Sequence, residues 1–286
     1  EQPVEAQPIA STMMLNTIME FGGRQYTVSG PPIGEGGNYN VYMATDNSVK
    51  YAVRIPSKIN PYESKTAALT REEMIRINSE EEIWSELSNS CPEKVVQLVG
   101  TSTGKYPAQL MEYADTNFSK VESSLSIKER VDVVIRLLDC IQEVHDIGVV
   151  HNDIKPDNLL QVGGVWKLAD FDTAFAEGEP VTNPRGTFEY MSPEQFGAGE
   201  ITSKSDVWAA GVMLCHSLHR RFPFDGRESE YRQNVLNGNF NDGGVNPRFV
   251  PILRRVFAVD PDERPTAAEF ASELRKINGE SKESVE

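Results

Sequence analysis

The sequence predicts an α+β, bilobal protein. A small antiparallel β-sheet lobe with one helix spans residues 24–112, a hinge spans 112–116, and a larger, mainly α-helical lobe spans 117–278. Three observations predict it. Short runs rich in β-branched and aromatic residues, broken by Gly, Pro and Asn, fill the first third of the chain. From Ser126 onward, apolar residues recur at steps of three and four. The 286 residues are 39% hydrophobic and 25% charged, enough to bury a core of this size and too apolar for a disordered chain.

Charge narrows the partners. Twenty-eight basic against 43 acidic side chains leave a net charge of −15, which opposes general attraction to nucleic acid or anionic membranes. A protein substrate or protein partner, basic or neutral, fits better. No apolar run reaches the roughly 18 residues of a membrane span. Cys91, Cys140 and Cys215 have no zinc-like spacing and leave the compartment open, a soluble protein being expected, cytoplasmic or a secreted effector.

Residues 1–23 read as an N-terminal extension, in which Met13-Met14-Leu15 and Ile18-Met19 suggest a short helix. Three strands are expected next: Tyr26–Val28, a second from Ile33 to Tyr42 beyond a break at Pro31-Pro32, and Tyr51–Ile55. Residues 70–88 have helical composition, with Ile77, Glu80, Ile83, Trp84 and Leu87 close to one face. Val95–Val99 and Ala108–Ala114 read as two further strands. Ser126 and Glu129 form a capping-box pattern ahead of a stripe of Ile127, Val131, Val134, Leu138, Ile141 and His145, and Gly148 closes that helix. Val165–Ala169 reads as a short strand and 279–286 as a polar tail.

The chemistry is concentrated in His151-Asn152-Asp153-Ile154-Lys155-Pro156-Asp157-Asn158-Leu159-Leu160, followed by Asp170-Phe171-Asp172. Carboxylates, a lysine and a carboxamide within about twenty otherwise hydrophobic residues suit work on phosphate and a divalent metal. An isolated Asp-Lys pair would be a surface ion pair. Gly34-x-Gly36 lets a backbone approach phosphates closely, although alone it reads more readily as a turn.

The spacing H-x-D-x-x-x-x-N resembles the catalytic loop of the protein kinases, and Asp170-Phe171-Asp172 resembles their D-F-G element. The resemblance covers roughly residues 24–278. It implies ATP and Mg²⁺, with Asp153 orienting the attacking hydroxyl and accepting its proton, Lys155 steadying the γ-phosphate, and Asn158 and Asp170 holding the metal. Lys at position 155 resembles the serine/threonine-directed members. Gly34, Gly36 and Val41 match the glycine-rich loop, and Ala52 and Arg54 match the strand that ends in the phosphate-binding cation. Glu80 is implied as that cation's helix partner, with Glu81 and Glu82 as rivals. Met111 falls at the gatekeeper position, the backbone of Glu112 to Ala114 at the adenine edge, Asp115 near the ribose, and Leu160 in the nucleotide site. Thr187 would contact the catalytic loop, and Glu194 of Ser192-Pro193-Glu194 would pair with Arg264.

Four residues depart from the family pattern. Tyr39 stands for the third glycine, Arg54 for lysine, Asn152 for the arginine that grips an activation-segment phosphate, and Asp172 for the glycine of D-F-G. Lys50 and Lys58, each roughly 13 Å from Arg54 by strand rise, are no obvious substitutes. Two functions are implied: an atypical serine/threonine kinase active without phosphorylation at Thr173 or Thr182, and a pseudokinase acting as a protein-binding scaffold or regulator.

Overall fold

A computed structural model describes residues 15–63, 67–102, 104–179, 185–197 and 199–279. The chain divides into two compact units, one from residues up to Leu69 with Leu98–Tyr113, the other from Thr70–Gln97 with Ala114 onward. An antiparallel sheet makes the first and helices dominate the second, as the α+β reading expects.

Among the described residues the first unit is a six-stranded sheet. Its strands are β1 (Asn16–Phe21), β2 (Arg24–Glu35), β3 (Tyr39–Asp46), β4 (Val49–Pro56), β5 (Leu98–Ser102) and β6 (Ala108–Glu112), in the order β1-β2-β3-β4-β6-β5. Residues 16–21 are thus a strand rather than the short helix expected around Ile18-Met19; Met13 and Met14 lie outside the described residues. Gly22 and Gly23, both at positive φ, form the two-residue turn that pairs β1 with β2. Along β1 the side chains alternate, with Met19 and Phe21 buried and Ile18 and Glu20 outward.

Pro31 and Pro32 do not break β2. The ladder to β3 skips from Ser29 to Gly34 and β1 stops pairing at Ser29, so the prolines occupy a bulge where no N–H is required. Strand β5 starts at Leu98 rather than Val95. Val95 and Val96 bond instead within the second unit, where the Val96 N–H donates to the Leu168 carbonyl at 2.8 Å. Tyr26, Val28, Tyr42, Ala44, Val53, Ile55 and Leu110 form the core of the sheet unit.

In the second unit, α1 (Arg71–Ser90) opens on a capping box of Thr70 and Glu73 and buries Ile77, Glu80, Trp84 and Leu87. Strand β7 (Thr116–Asn117) and the short helix α2 (Phe118–Val121) lead to α3 (Ile127–Asp146), whose capping box of Ser126 and Glu129 forms as expected. The α3 stripe from Val131 to Ile141 is buried, while Ile127, in the first turn, is exposed. After Gly148, at φ +82, come β8 (Val149–Val150), then the hairpin of β9 (Leu159–Val162) and β10 (Val165–Leu168) with Gly163-Gly164 at its turn.

Strand β11 (Phe175–Ala176) pairs with β8. Helix α4 (Ser203–His219) is buried along most of its length, and α5 (Ser229–Leu236), α6 (Val250–Val256) and α7 (Ala267–Gly279) follow it among the described residues. A Cβ on Gly211 of α4 would lie 2.4 Å from a Val256 methyl, so only glycine permits that approach to α6. Cys91, Cys140 and Cys215 are unpaired and buried. No described helix is long and apolar enough to cross a membrane.

Candidate active site

Two backbone clamps shape the loop that follows β8. The Asp206 carboxylate, buried on α4, accepts the His151 N–H at 2.9 Å and the Asn152 N–H at 2.8 Å, and also contacts His145 Nε2 at 2.9 Å. His151 Nε2 lies 3.0 Å from the Ala169 carbonyl, at the end of β10. The loop is thereby fixed to α4 on one side and to the D-F-D stretch on the other. Asn152 sits at φ +70, a left-handed conformation that asparagine tolerates better than most residues.

Asp153 and Lys155, paired from sequence, are brought together. Asp153 Oδ2 accepts from Lys155 Nζ at 2.6 Å, and Oδ1 accepts from the Thr187 N–H and the Thr187 hydroxyl, both at 2.8 Å. Lys155 Nζ donates to Thr187 Oγ1 as well, at 3.0 Å. Burial pushes the Asp153 carboxyl up, yet the Lys155 hydrogen bond and charge, helped by Thr187, outweigh it and hold it below the usual carboxylate range. Burial likewise opposes the Lys155 ammonium, and the Asp153 bond and charge raise it nonetheless. At neutral pH both are ionised.

Asn158 ends a 3₁₀ turn that starts at Pro156. Its Nδ2 donates to the Asp153 carbonyl at 2.9 Å, which assigns the amide nitrogen and makes Oδ1 its acceptor face. Asp170 is half-buried at φ +68, beyond β10. Phe171 behind it is fully buried, its ring 5.1 Å from His151 and 6.3 Å from Trp84. The positive φ falls on Asp170, so Asp172 carries no conformation that a side chain strains. Among the described residues no three His, Cys, Asp or Glu side chains cluster as a ready-made metal cage. One carboxylate and one carboxamide oxygen still suit Mg²⁺, which keeps waters and phosphate oxygens in its shell.

Within the sheet unit, Gly34 pairs with Val41, and the Gly36 N–H donates to the Tyr39 carbonyl at 2.9 Å, closing a tight turn between β2 and β3. A Cβ on Gly36 would sit 3.2 Å from that carbonyl oxygen. The Ser57 N–H and hydroxyl hold the turn from below, donating to the carbonyls of Asn38 and Gly37. Ala52 pairs across the sheet with Met111, and both are buried. Arg54 is 6% exposed; its Nη1 donates to Gln109 Oε1 at 3.1 Å, and its guanidinium lies over the Tyr39 ring at 4.1 Å. Glu112 ends β6, and Tyr51 faces it on β4.

Other sequence-predicted residues lie in the second unit. Of the three α1 glutamates, Glu80 is buried at 2% exposure, Glu81 is intermediate and Glu82 is exposed. Ala114 follows the sheet unit, and Leu160 lies on β9 opposite Asn117 and Lys167. Asp115 is engaged locally, its carboxylate accepting the Gly163 N–H at 3.2 Å. Thr173 Oγ1 donates to the His151 carbonyl at 3.1 Å, whereas Thr182 is outside the described residues. Glu194 and Arg264 pair through both oxygens at 2.6 and 2.9 Å.

Sequence reasoning missed Asp206 and Gln195 as parts of this site. Each is a polar residue in a stretch that folds inward, Asp206 ahead of Val207-Trp208-Ala209 and Gln195 after Pro193-Glu194. That placement was the available signal.

Known proteins resemble this chain. The family model described as protein kinase domain matches residues 27–274. The chain is 31% identical over 164 residues to calcium and calcium/calmodulin-dependent serine/threonine-protein kinase DMI-3 of Medicago truncatula, covering 53% of this chain and 31% of that protein. It is 30% identical over 208 residues to the probable serine/threonine-protein kinase PknB of Lactococcus lactis, covering 68% and 31%. Sperm motility kinase Z of Mus musculus is 30% identical over 202 residues, covering 68% and 41%. The chain thus spans about a third of the length of most of these relatives.

Proposed function

The chain belongs to the protein kinase family, and from that premise we propose that it transfers the ATP γ-phosphate to serine or threonine hydroxyls of a protein, without needing phosphorylation of its activation segment. The observation that carries this reading is the Asp153–Lys155–Thr187 triangle, in which an ionised carboxylate is held by an ammonium and a hydroxyl. Asp153 orients the substrate hydroxyl and takes its proton, a task governed by position more than by a raised pKa. Lys155 sits beside it as a positive charge for the phosphoryl group in flight.

Asn158 Oδ1 and the Asp170 carboxylate are the oxygens that would hold Mg²⁺. Magnesium-bound ATP supplies the phosphoryl group and neutralises its charge. For the nucleotide, the motif assigns Gly34, Gly36, Val41, Ala52, Arg54, Met111, Glu112, Ala114 and Leu160, with Glu80 as the partner of Arg54. The tight Gly36 turn and the burial of Ala52 and Met111 support the sheet residues among them. Phosphorylation independence is supported by Asn152, which offers no cation to a phosphate.

A second reading, a pseudokinase that binds a protein partner, is favoured by one observation. Arginine, bulkier than lysine and suited to fork contacts, stands at the buried position 54 where the family has its phosphate-binding lysine. The discriminating experiment measures Mg²⁺-dependent stabilisation by ATP and phosphate transfer to a generic protein substrate, in the parent chain, Asp153→Asn and Arg54→Lys. Transfer that Asp153→Asn abolishes supports the kinase. No transfer in either the parent or Arg54→Lys supports the scaffold. Loss of activity on phosphatase treatment of the parent, or in Thr182→Ala at unchanged stability, would refute phosphorylation independence.

A further inference from the structure

Thr187 can hold Asp153 only if the stretch around it is itself pinned to the catalytic loop. In this chain the pin contains no charge. Gln195, buried in the 3₁₀ turn Glu194–Phe196, places Nε2 at 3.0 Å from the Asn152 carbonyl, 2.9 Å from Asn152 Oδ1 and 3.3 Å from the Arg185 carbonyl. Its Oε1 accepts from the Ser192 N–H at 2.9 Å and the Ser192 hydroxyl at 3.2 Å. One carboxamide therefore joins the catalytic loop to both the start and the end of the 185–192 stretch.

The approach is tight. A Cβ on Gly186 would lie 3.0 Å from the Asn152 carbonyl oxygen and 3.1 Å from Gln195 Nε2, and Gly186 has φ +143. Asn152 presents its carbonyl and its Oδ1 to the same donor, while its own N–H is held by Asp206. Arg185 enters through its backbone, so its guanidinium takes no part in these bonds.

We infer that Gln195 is a positioning residue, a neutral anchor that fixes Arg185–Thr187 on the catalytic loop and so sets the bonds from Thr187 to Asp153. Its catalytic consequence rests on the kinase reading above; the anchoring does not. A buried carboxamide with every polar atom matched holds the segment permanently, whereas a phosphate anchor holds it only when phosphorylated.

Gln195→Glu in the full chain tests this, because it converts the donor into a titratable group. While neutral, the introduced carboxyl retains one donor. Once ionised it has none and faces the acceptor oxygens of Asn152 and Arg185, so burial and these acceptors favour the neutral form. The readouts are hydrogen-exchange protection of the Thr187 amide, with the α4 amides as a control for global stability, and the split between kcat and KM for ATP. Protection of Thr187 and kcat in the variant should both fall about tenfold as pH rises through the introduced carboxyl's titration. The α4 protection and KM should hold, and the parent should show no such limb.

Parent-like protection at every pH would overturn the inference, as would a loss at Thr187 that α4 shares equally. If Gln195→Glu does not fold, Gln195→Met carries the test at one pH. Loss confined to residues 185–192 supports the anchor, and unchanged protection refutes it. A parent that transfers no phosphate defeats the kinase reading, while the exchange result still decides the anchor.

Discussion

The Arg54 guanidinium lies 4.1 Å from the centre of the Tyr39 ring, so two of the residues at which this chain departs from the kinase pattern are partners. They are diagonal neighbours on one face, since Val41 pairs directly with Arg54 and Tyr39 is two residues before it. The aromatic ring that replaces a loop glycine gives the larger cation a flat surface, which a lysine ammonium would use less well. A double-mutant cycle of Tyr39→Leu and Arg54→Met should return a coupling of about 1–2 kcal/mol in urea denaturation. Additive losses would mean that the contact contributes nothing.

Asp153 should stay ionised to lower pH than an ordinary carboxylate, because Lys155 and Thr187 outweigh its burial. The acid limb of kcat/KM in the parent should therefore lie below the usual carboxylate range. Lys155→Met removes the opposing charge and leaves burial dominant, so the limb should move upward while kcat falls about 10²-fold or more. A pH–rate series on both proteins checks the direction.

Glu122 predicts part of the acid sensitivity of the fold. Burial would raise its carboxyl, but the hydrogen bond from the Ser217 hydroxyl, His216 at 3.6 Å and the Arg220 guanidinium pull it from 4.5 down to about 2. A lowered folded pKa gives stability that is complete above the unfolded value and is lost as pH falls toward the folded one. Glu122→Gln should flatten the loss of stability between pH 4.5 and about 2 relative to the parent, as read by chemical denaturation across that range.

The Glu194–Arg264 pair is nearly sealed from solvent, with both side chains at 2% exposure or less. Arg264 also stacks on Trp208 at 4.8 Å. Arg264→Leu should cost about 3–5 kcal/mol by leaving the carboxylate buried without its cation. Glu194→Gln combined with Arg264→Leu should cost less than the sum of the single changes. Denaturant midpoints of the three variants test this.

Local signals were legible in the sequence because their chemistry is local. The capping box at Ser126, the stop at Gly148, and Asp153, Lys155 and Asn158 within one loop all depend on near neighbours. Strand β1 was missed because the Gly22-Gly23 turn was absorbed into an apparent extension, although two glycines at positive φ are a strong hairpin signal. Pro31-Pro32 looked like a break because sequence does not say where ladder bonds stop. The shift of Val95-Val96 away from the sheet, and the roles of Asp206 and Gln195, depend on partners tens of residues away. No spacing rule carries that information.

The three buried thiols have a practical consequence. Burial pushes Cys91 and Cys140 up to about 11 and Cys215 higher still, so at neutral pH all are protonated and shielded, slow toward alkylating reagents. A single cysteine introduced at an exposed position such as Arg185 would take a maleimide dye or spin label selectively. The native chain is its own labelling background, and the stretch beside Asp153 can be followed by fluorescence or electron resonance with every natural cysteine left in place.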